Sequence, residues 1–324
     1  MAFFGIRFDL RNPSFAGVEA VDRYAAALDM AAWADERGFA LVSLSEHHGS
    51  PDGYLPSPLP MAAAIAARTK NIAIYVAAMV ASFHDPLRLA EDAAVVDLVA
   101  RGRMRLVIAN GYVTDEFAMF DVPLSERGRR TTETVITLQQ AWSGEPFEFR
   151  GRTVQVTPAP FTTGGPELVL GGSSDAAARR AARMGVGYQP SGGDSWPSFR
   201  AACLELGRPD PGDYFGGTSA VTIVAADPDV TWAAIAPYAL HEANAYGAWA
   251  AEAGTATGYT GAADADELRA SGQYNVVTPD QLVADLAAQG PVAFALLHPM
   301  LGGIPPELAW ESLHLLEREV LPAL

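Results

Sequence analysis

Short apolar runs alternate with amphipathic stretches along almost the whole chain. Each apolar run has the length and residue types of a buried strand, and each following stretch has the spacing of a helix that covers a sheet. The pattern predicts an α/β fold in which eight parallel strands, each followed by a helix, close into a (β/α)8 TIM-like barrel. The predicted strands cover residues 3–8, 39–45, 72–80, 104–109, 167–170, 186–189, 219–225 and 292–297.

An open, doubly wound sheet is the competing arrangement. It usually has fewer strands and a glycine-rich turn after the first strand, whereas the turn here is Asp9-Leu10-Arg11-Asn12-Pro13. We therefore predict one barrel domain over residues 1–324. Two insertions interrupt it, a small hairpin around Arg150-Gly151-Arg152 and a long, weakly periodic loop near 254–277. The loop is either a lid over the barrel mouth or a surface insertion.

Composition argues against several classes of protein. Lys and Arg number 22 against 38 Asp and Glu, and the net charge is −16, so no nucleic-acid partner is expected. The single cysteine, Cys203, cannot form an internal disulfide. No stretch reaches the ~18 apolar residues of a membrane span, and the chain enters a strand-like run at once, without a secretion signal. We expect a cytoplasmic protein that has no membrane partner.

Three ionisable residues, Glu46-His47-His48, directly follow the second predicted strand. Barrel enzymes carry their catalytic groups at the carboxyl ends of the strands. Adjacent residues of a strand face opposite ways, so only one of the two histidines can point into the barrel mouth, where it would suit proton transfer near neutral pH. A purely structural role is equally compatible with the residue type. The sequence lacks the His-Glu-x-x-His spacing, and we predict no metal site.

The turn Gly171-Gly172-Ser173-Ser174 leads from a predicted strand into a predicted helix. The glycines allow close backbone approach, and the N–H groups of the helix start, together with the two hydroxyls, favour a phosphate. The alternative is an ordinary tight turn with a serine cap.

Two further strand ends are candidates for ligand contact. Asn110-Gly111 follows the fourth strand, and Arg127 lies at the start of the next helix, where its guanidinium could reach a phosphate. Ala77-Ala78 on the third strand leaves room for a flat ring against the backbone. Taken alone, Arg127 would be read as a solvated helix residue beside Glu126, and the alanines would be read as part of the core.

In order along the chain, these motifs resemble those of the bacterial-luciferase-like superfamily of flavin-dependent oxidoreductases. The resemblance covers nearly the whole chain, and the order and spacing of the blocks are more specific than any single block. The matching blocks are Ser45–His48, His84–Asp92, Asp97–Arg103, Gly111–Arg127, Leu170–Ser174 and Val320–Pro322.

The resemblance implies a TIM-like barrel that binds reduced FMN across its mouth, usually as a homodimer. His47 matches the histidine that serves as a base near the flavin ring. Ala77-Ala78 matches a site where a non-proline cis peptide presses on that ring. Gly171-Gly172-Ser173-Ser174 matches the turn that donates to the phosphate of the ribityl tail, and the block with Asn110-Gly111 and Arg127 is expected to contact the cofactor as well.

Two departures separate this chain from alkanal monooxygenases. Ala109-Asn110 stands where those enzymes carry Cys-Arg, so a reactive thiol and one phosphate-binding arginine are absent. Gly172 replaces the acidic residue of the luciferase phosphate turn. Both differences argue against long-chain aldehyde oxidation and light emission, and neither removes the expected flavin site.

The resemblance therefore implies a monooxygenase or reductase that uses reduced FMN and oxygen on a small organic substrate. A separate flavin reductase is the expected source of the reduced FMN. The first alternative is a hydride-transfer enzyme on the same fold that uses a deazaflavin, coenzyme F-420. The second alternative is a non-catalytic flavin-binding protein.

Overall fold

A computed structural model describes residues 2–191, 194–214, 221–254 and 259–324. Within these residues the strands are β1 (Ala2–Phe8), β2 (Leu41–Leu44), β3 (Ala73–Val80), β4 (Met104–Ala109), β5 (Phe147–Phe149), β6 (Arg152–Val154), β7 (Glu167–Gly172), β8 (Gly187–Pro190), β9 (Val221–Val224), β10 (Tyr274–Val277) and β11 (Ala293–Leu297). The α-helices are α1 (Ala20–Glu36), α2 (Pro58–Arg68), α3 (Pro86–Ala100), α4 (Thr114–Met119), α5 (Arg127–Ala141), α6 (Asp175–Met184), α7 (Trp196–Glu205), α8 (Pro228–Ala253), α9 (Ala265–Ala270), α10 (Pro279–Ala288) and α11 (Pro306–Leu315).

The chain divides into two compact units. The first is built from Met1–Pro56, Thr218–Ala248 and Tyr259–Leu324, and the second from Ser57–Gly217 and Trp249–Gly258. A single domain over the whole chain stays a prediction. None of the helices in the described ranges is both long enough and apolar enough to cross a membrane.

In the first unit, five parallel strands are hydrogen-bonded in the order β10-β9-β11-β1-β2. Phe8 at the end of β1 pairs with Leu44 at the end of β2, and Ile6 pairs with Leu297 at the end of β11. The residues that follow these three strands therefore emerge at one edge of the sheet. This edge is where the chain carries most of its buried ionisable groups.

In the second unit, four parallel strands are hydrogen-bonded in the order β3-β4-β7-β8. Val80 pairs with Ala109, and Ile108 pairs with Leu170, so the carboxyl ends of β3, β4 and β7 are level with one another. The predicted hairpin is confirmed, since β5 and β6 pair antiparallel around Arg150-Gly151.

Polar contacts at the helix and strand ends explain why several boundaries were readable from the sequence. Asp85 caps α3 by accepting from the backbone N–H of Leu87 at 3.0 Å, and Pro86 occupies the first turn. Arg103, at the amino end of β4, donates to the backbone carbonyls of Ala66 and Ile72, both at 3.0 Å. Arg103 therefore stabilises the amino end of β4, opposite to the end at Ala109.

The segment 254–277 is more regular than its weak periodicity suggests. It contains α9 and then β10, which pairs in parallel with β9. Asp264 caps α9 by accepting from the N–H groups of Asp266 and Glu267. The expected long loop is corrected to a shorter connection before α9, of which residues 255–258 lie outside the described residues.

Candidate functional site

The second unit brings together three of the motifs singled out in the sequence. Ala77-Ala78, Asn110-Gly111 and Gly171–Ser174 all lie at the level carboxyl ends of β3, β4 and β7. Gly111 has a φ of +77°, and a Cβ there would lie 2.6 Å from Val80 Cγ1, so only glycine fits. The three motifs, which the sequence placed at or near strand ends, thus lie at the same edge of the sheet.

The peptide bond between Ala77 and Ala78 is cis, as the family resemblance implied. Both alanines are partly exposed, although they lie on a strand whose other residues are largely buried. The pairing of β3 with β4 shifts register between Ala77 and Met79. The backbone of β3 is therefore irregular and accessible at the place where the resemblance puts a flat ring.

The glycine-serine turn serves as a helix cap and also presents exposed hydroxyl groups. Ser174 caps α6, and its Oγ accepts from the backbone N–H of Ala177 at 3.3 Å. A Cβ on Gly172 would lie 2.6 Å from the Cβ of Ala177, so the strand approaches the helix closely because glycine stands there. Ser173 and Ser174 remain exposed at the helix start. The cap and the phosphate interpretations are compatible with each other.

Arg180 on α6 is a residue that the sequence reasoning missed. Its Nη1 donates to Asn110 Oδ1 at 3.2 Å, and a Cβ on Gly128 at the start of α5 would lie 3.2 Å from its Nη2. Burial lowers the pKa of Arg180, and the charge of Arg183 lowers it further. In the described part of the chain no carboxylate forms an ion pair with Arg180. A guanidinium therefore lies beside Asn110, the position at which alkanal monooxygenases carry an arginine.

Arg127 is the first residue of α5, next to Gly128, and is partly exposed. Through Gly128 this helix start lies beside the Arg180 guanidinium. The sequence suggested Arg127 as a phosphate ligand, and that role stays a prediction. Arg180 could have been found from the sequence. Helical side chains lean toward the amino end of their helix, so an arginine in the second turn of α6 is expected to extend toward the Gly171–Ser174 turn.

In the first unit, the two histidines after β2 have different surroundings. His48 Nε2 lies 2.8 Å from Glu46 Oε1, so these two residues form a pair. His47 is buried, and its ring contacts the edges of Tyr54 and Tyr246 at centroid distances of 4.8 and 5.7 Å. His47 is thus packed in a polar aromatic environment, whereas His48 is held by a carboxylate.

A buried polar cluster surrounds the residues near His47. Tyr54 and Tyr246 share a hydrogen bond of 2.7 Å between their hydroxyls, and Arg7 Nη2 donates to Tyr246 at 2.7 Å. The guanidinium carbon of Arg11 lies 4.7 Å from the ring centre of Tyr54. Arg11 also pairs with Asp52, a carboxylate that His241 contacts at 2.7 Å. Burial alone would raise the pKa of Asp52, but His241, Arg11 and Ser50 together lower it below its usual value.

A second group in the first unit consists of Asp9, Glu242 and His298, all fully buried. His298 Nε2 lies 3.5 Å from Asp9 Oδ1, and His298 Nδ1 lies 3.6 Å from Glu242 Oε1. The two carboxylates face opposite nitrogens of the ring, whereas a metal ion binds one nitrogen of a histidine. Burial raises the pKa of Asp9, but His298 and Arg11 outweigh it and lower that pKa to about 2. The two carboxylates thus approach the buried ring of His298 from opposite sides.

The first unit also contains a cavity of about 480 Å³ beside the start of α8 and along α11. None of the site residues predicted from the sequence lines it. Its walls include Ile223, Val230, Leu308 and His314.

Comparison with known proteins decides the family. The model of the luciferase-like monooxygenase family matches residues 3–293. The chain belongs to the luciferase-like monooxygenases. The resemblance inferred from the ordered motifs is therefore confirmed.

One curated relative of this luciferase-like chain is the oxygenase component of the flavin-dependent trigonelline monooxygenase of Acinetobacter baylyi. It is 29% identical over 147 residues, which make up 44% of this chain and 39% of that protein. The chain thus spans about two fifths of the length of this curated relative.

Two solved structures are similar to the luciferase-like chain over almost its whole length. The oxygenating constituent of 3,6-diketocamphane monooxygenase from Pseudomonas putida, in complex with FMN, has a TM-score of 0.71 at 19% identity and covers 99% of this chain and 98% of its own. An F-420-dependent secondary alcohol dehydrogenase has a TM-score of 0.65 at 16% identity, with the same two coverages. Likeness of this extent shows the fold, and the predicted TIM-like α/β barrel is confirmed.

Proposed function

We propose that this luciferase-like chain is the oxygenase of an FMN-dependent monooxygenase that acts on a small organic substrate. The observation that carries the proposal is the convergence of Asn110, Arg180 and the exposed Ser173-Ser174 turn at one strand edge of the second unit. Hydroxyl groups, the N–H groups of a helix start and a guanidinium form a set of donors suited to a phosphate monoester. FMN ends in such a group.

The residues present also fit the rest of the cofactor. Ala77-Ala78 offers a backbone edge without large side chains, and Gly111 keeps the end of β4 narrow. When bound, reduced FMN supplies the electrons that activate oxygen. The protein's part is to hold the phosphate at the Ser173-Ser174 turn, to leave β3 accessible and to exclude water from the reaction.

His47 is the group we assign to proton transfer. Its ring contacts the rings of Tyr54 and Tyr246, whereas the neighbouring His48 is paired with Glu46. Imidazole titrates near neutral pH and can both take and give a proton there. This assignment rests on the family resemblance together with the polar surroundings of the ring.

The experiment that tests the proposal is a titration of the purified protein with FMN and with riboflavin, which lacks the phosphate. We expect FMN to bind at least about tenfold more tightly, because the charge-assisted contacts to phosphate are lost with riboflavin.

His47→Asn should keep FMN binding but lose most oxygen-dependent turnover, whereas the exposed-site control His314→Asn should keep both. If His47→Asn left turnover unchanged, a non-catalytic or differently catalysed role would be favoured.

A hydride-transfer role with coenzyme F-420 is the second candidate. The likeness to an F-420-dependent alcohol dehydrogenase supports it, because that protein shares the fold over 99% of this chain. Deazaflavins do not react readily with oxygen, so the two candidates differ in one simple measurement. Turnover with F-420 that consumes no oxygen would favour the second candidate over the first.

The remaining proposals concern partners and surroundings. A separate reductase is supported by the trigonelline relative, which is named as an oxygenase component. A homodimer is supported by apolar side chains exposed on α3, namely Val95, Leu98 and Val99. Sedimentation of the pure protein tests the dimer, and fractionation of cells tests the proposed cytoplasmic location.

A lid over the site is proposed only for the connection between α8 and α9. Because β10 pairs with β9, the residues from Tyr274 onward belong to the sheet and cannot serve as a cover. Tyr259 supports the remaining proposal, since its hydroxyl accepts from Arg7 at the carboxyl end of β1. Tyr259 is therefore held beside the polar cluster of the first unit.

A further inference from the structure

Arg7 differs from its neighbour Arg11 in the partners of its guanidinium. Arg11 pairs with two carboxylates, Asp52 and Asp9, the second at 3.5 Å. Among the described residues, Arg7 contacts no carboxylate: Nη2 donates to Tyr246 at 2.7 Å, Nη1 donates to Tyr259, and Nε is buried without an acceptor. Arg7 is thus a cation whose direct partners are two phenols.

The two phenols do not neutralise that cation. Burial raises the pKa of both Tyr246 and Tyr259, so their hydroxyls stay protonated at neutral pH. An arginine side chain stays charged in proteins. Glu242 and Asp9 act on Arg7 from beyond contact distance. Glu242 accepts from Tyr274 at 3.2 Å and faces His298, and Asp9 pairs with Arg11. A positive charge with a buried, unused N–H donor therefore remains at the carboxyl end of β1.

Burying a charge without a contacting partner is costly, and proteins usually pair such groups with a counter-ion or a ligand. Arg7 is partly exposed as a whole residue, and a ligand that reached its guanidinium would meet the unused Nε donor. The rings of Tyr246 and Tyr259 stack at 4.4 Å beside it, and Tyr246 also contacts the ring of His47. A ligand held by Arg7 would therefore extend toward the histidine assigned to proton transfer.

We propose that Arg7, with Tyr246 and Tyr259, forms a subsite for the carboxylate group of the organic substrate. The inference rests on the proposed function, because it takes the molecule bound there to be the compound that is oxygenated. A carboxylate is planar and accepts two hydrogen bonds from a guanidinium, so it satisfies the unused Nε donor and places a negative charge in direct contact with Arg7. The tyrosine hydroxyls orient the guanidinium. The predicted substrate class is a small organic acid.

The test uses two probes of nearly the same shape, benzoate and its neutral analogue benzamide, in calorimetric titrations of the full chain. We expect benzoate to bind about tenfold or more tightly than benzamide, since only benzoate forms charge-assisted bonds with Arg7. Arg7→Gln should abolish the preference, Arg7→Lys should keep part of it, and Tyr259→Phe should weaken benzoate binding severalfold. The control Arg105→Gln removes an exposed arginine that pairs with Glu167 and should change nothing.

The same preparations separate this inference from the proposed function. FMN affinity is measured for each variant, and Arg7→Gln is expected to leave it within about twofold of the parent value. Equal binding of benzoate and benzamide, no benzoate binding, or a preference that survives in folded Arg7→Gln would each overturn the subsite. If benzoate bound as expected while FMN did not bind, the subsite would stand and the proposed function would fail.

Discussion

Asn110 Oδ1 accepts a hydrogen bond of 3.2 Å from Arg180 Nη1, a contact that links the end of β4 to the second turn of α6. Asn110 stands where alkanal monooxygenases carry an arginine. The guanidinium absent from the end of β4 is thus present nearby on α6, the helix that follows β7. This chain brings a positive charge to the same strand edge from a different element.

The first prediction concerns that guanidinium. Arg180→Gln should weaken FMN binding about tenfold or more and leave riboflavin binding nearly unchanged, because only FMN carries the phosphate. Arg179→Gln is the matched control, since Arg179 lies next in sequence, is exposed and pairs with Glu205 at 3.5 Å. Fluorescence titration measures both affinities. Equal losses for FMN and riboflavin would mean that Arg180 supports the fold rather than the phosphate.

The second prediction concerns the close approach of β7 to α6. Gly172→Ala would place a Cβ 2.6 Å from the Cβ of Ala177, so we expect a loss of about 1–3 kcal/mol in the free energy of unfolding. Ala177→Gly alone should cost about 1 kcal/mol through helix propensity. The double variant Gly172→Ala/Ala177→Gly should lose less free energy of unfolding than the two single variants do together, because the second change removes the clash between the two Cβ atoms. Strict additivity in urea unfolding would show that the two residues do not meet.

The third prediction concerns acid stability. Asp9 has a pKa of about 2 in the folded chain against a reference value of 3.8, so its ionised form stabilises the fold above about pH 4. That contribution is lost as the pH falls toward the folded pKa. Asp9→Asn should cost about 3–5 kcal/mol at neutral pH, because it leaves His298 and Arg11 short of a buried partner. It should also flatten the decline in stability between about pH 4 and 2.

Urea unfolding at a series of pH values checks the third prediction. The exposed Asp229, which pairs with Arg269, gives the control Asp229→Asn, for which a change within about 0.5 kcal/mol is expected. An acid limb that keeps the parent slope in Asp9→Asn would contradict the assignment.

The fourth prediction concerns Arg103, which should contribute to the stability of the fold and not to FMN binding. Arg103→Ala should lower the free energy of unfolding by about 2–4 kcal/mol, because several carbonyls near the amino end of β4 lose their donor. FMN affinity should not change, since the residue lies at the opposite end of the strand. Arg88→Ala, whose side chain is 71% exposed, should have little effect on either property. A large loss of FMN affinity in folded Arg103→Ala would place Arg103 in the site after all.

The fifth prediction concerns the proposed lid. Shortening the connection between Gly254 and Ala263 should raise the fraction of reduced FMN that is consumed without product, with hydrogen peroxide released instead, because water reaches the site. A peroxide assay alongside product analysis measures this coupling. If a folded variant formed as much product per reduced FMN consumed as the parent chain does, the connection would not act as a lid.

Local sequence signals predicted much of the fold. The bounds of β1, β3, β4 and β11 lie within about two residues of the predicted ones, because apolar periodicity acts over short distances. β10 was missed because it lies in a stretch rich in glycine, alanine and threonine. Its burial comes from pairing with β9, which is distant in the sequence. The Asp264 cap of α9 was a local signal that could have been read.

The candidate site was only partly predictable for the same reason. The turn Gly171–Ser174 and the pair Ala77-Ala78 are contiguous motifs, and each is recognisable by itself. The contact between Arg7 and Tyr259 joins residues 252 positions apart, and no short-range pattern marks either one. His298 likewise becomes conspicuous only once the ends of β1 and β11 are adjacent.

The most direct test of the account is the equilibrium affinity of the purified chain for FMN, measured beside riboflavin and coenzyme F-420. The account predicts saturable binding of FMN that is weakened by loss of the phosphate and by Arg180→Gln. If neither FMN nor coenzyme F-420 bound with saturation, the assignment of a flavin site to this edge of the barrel would be contradicted.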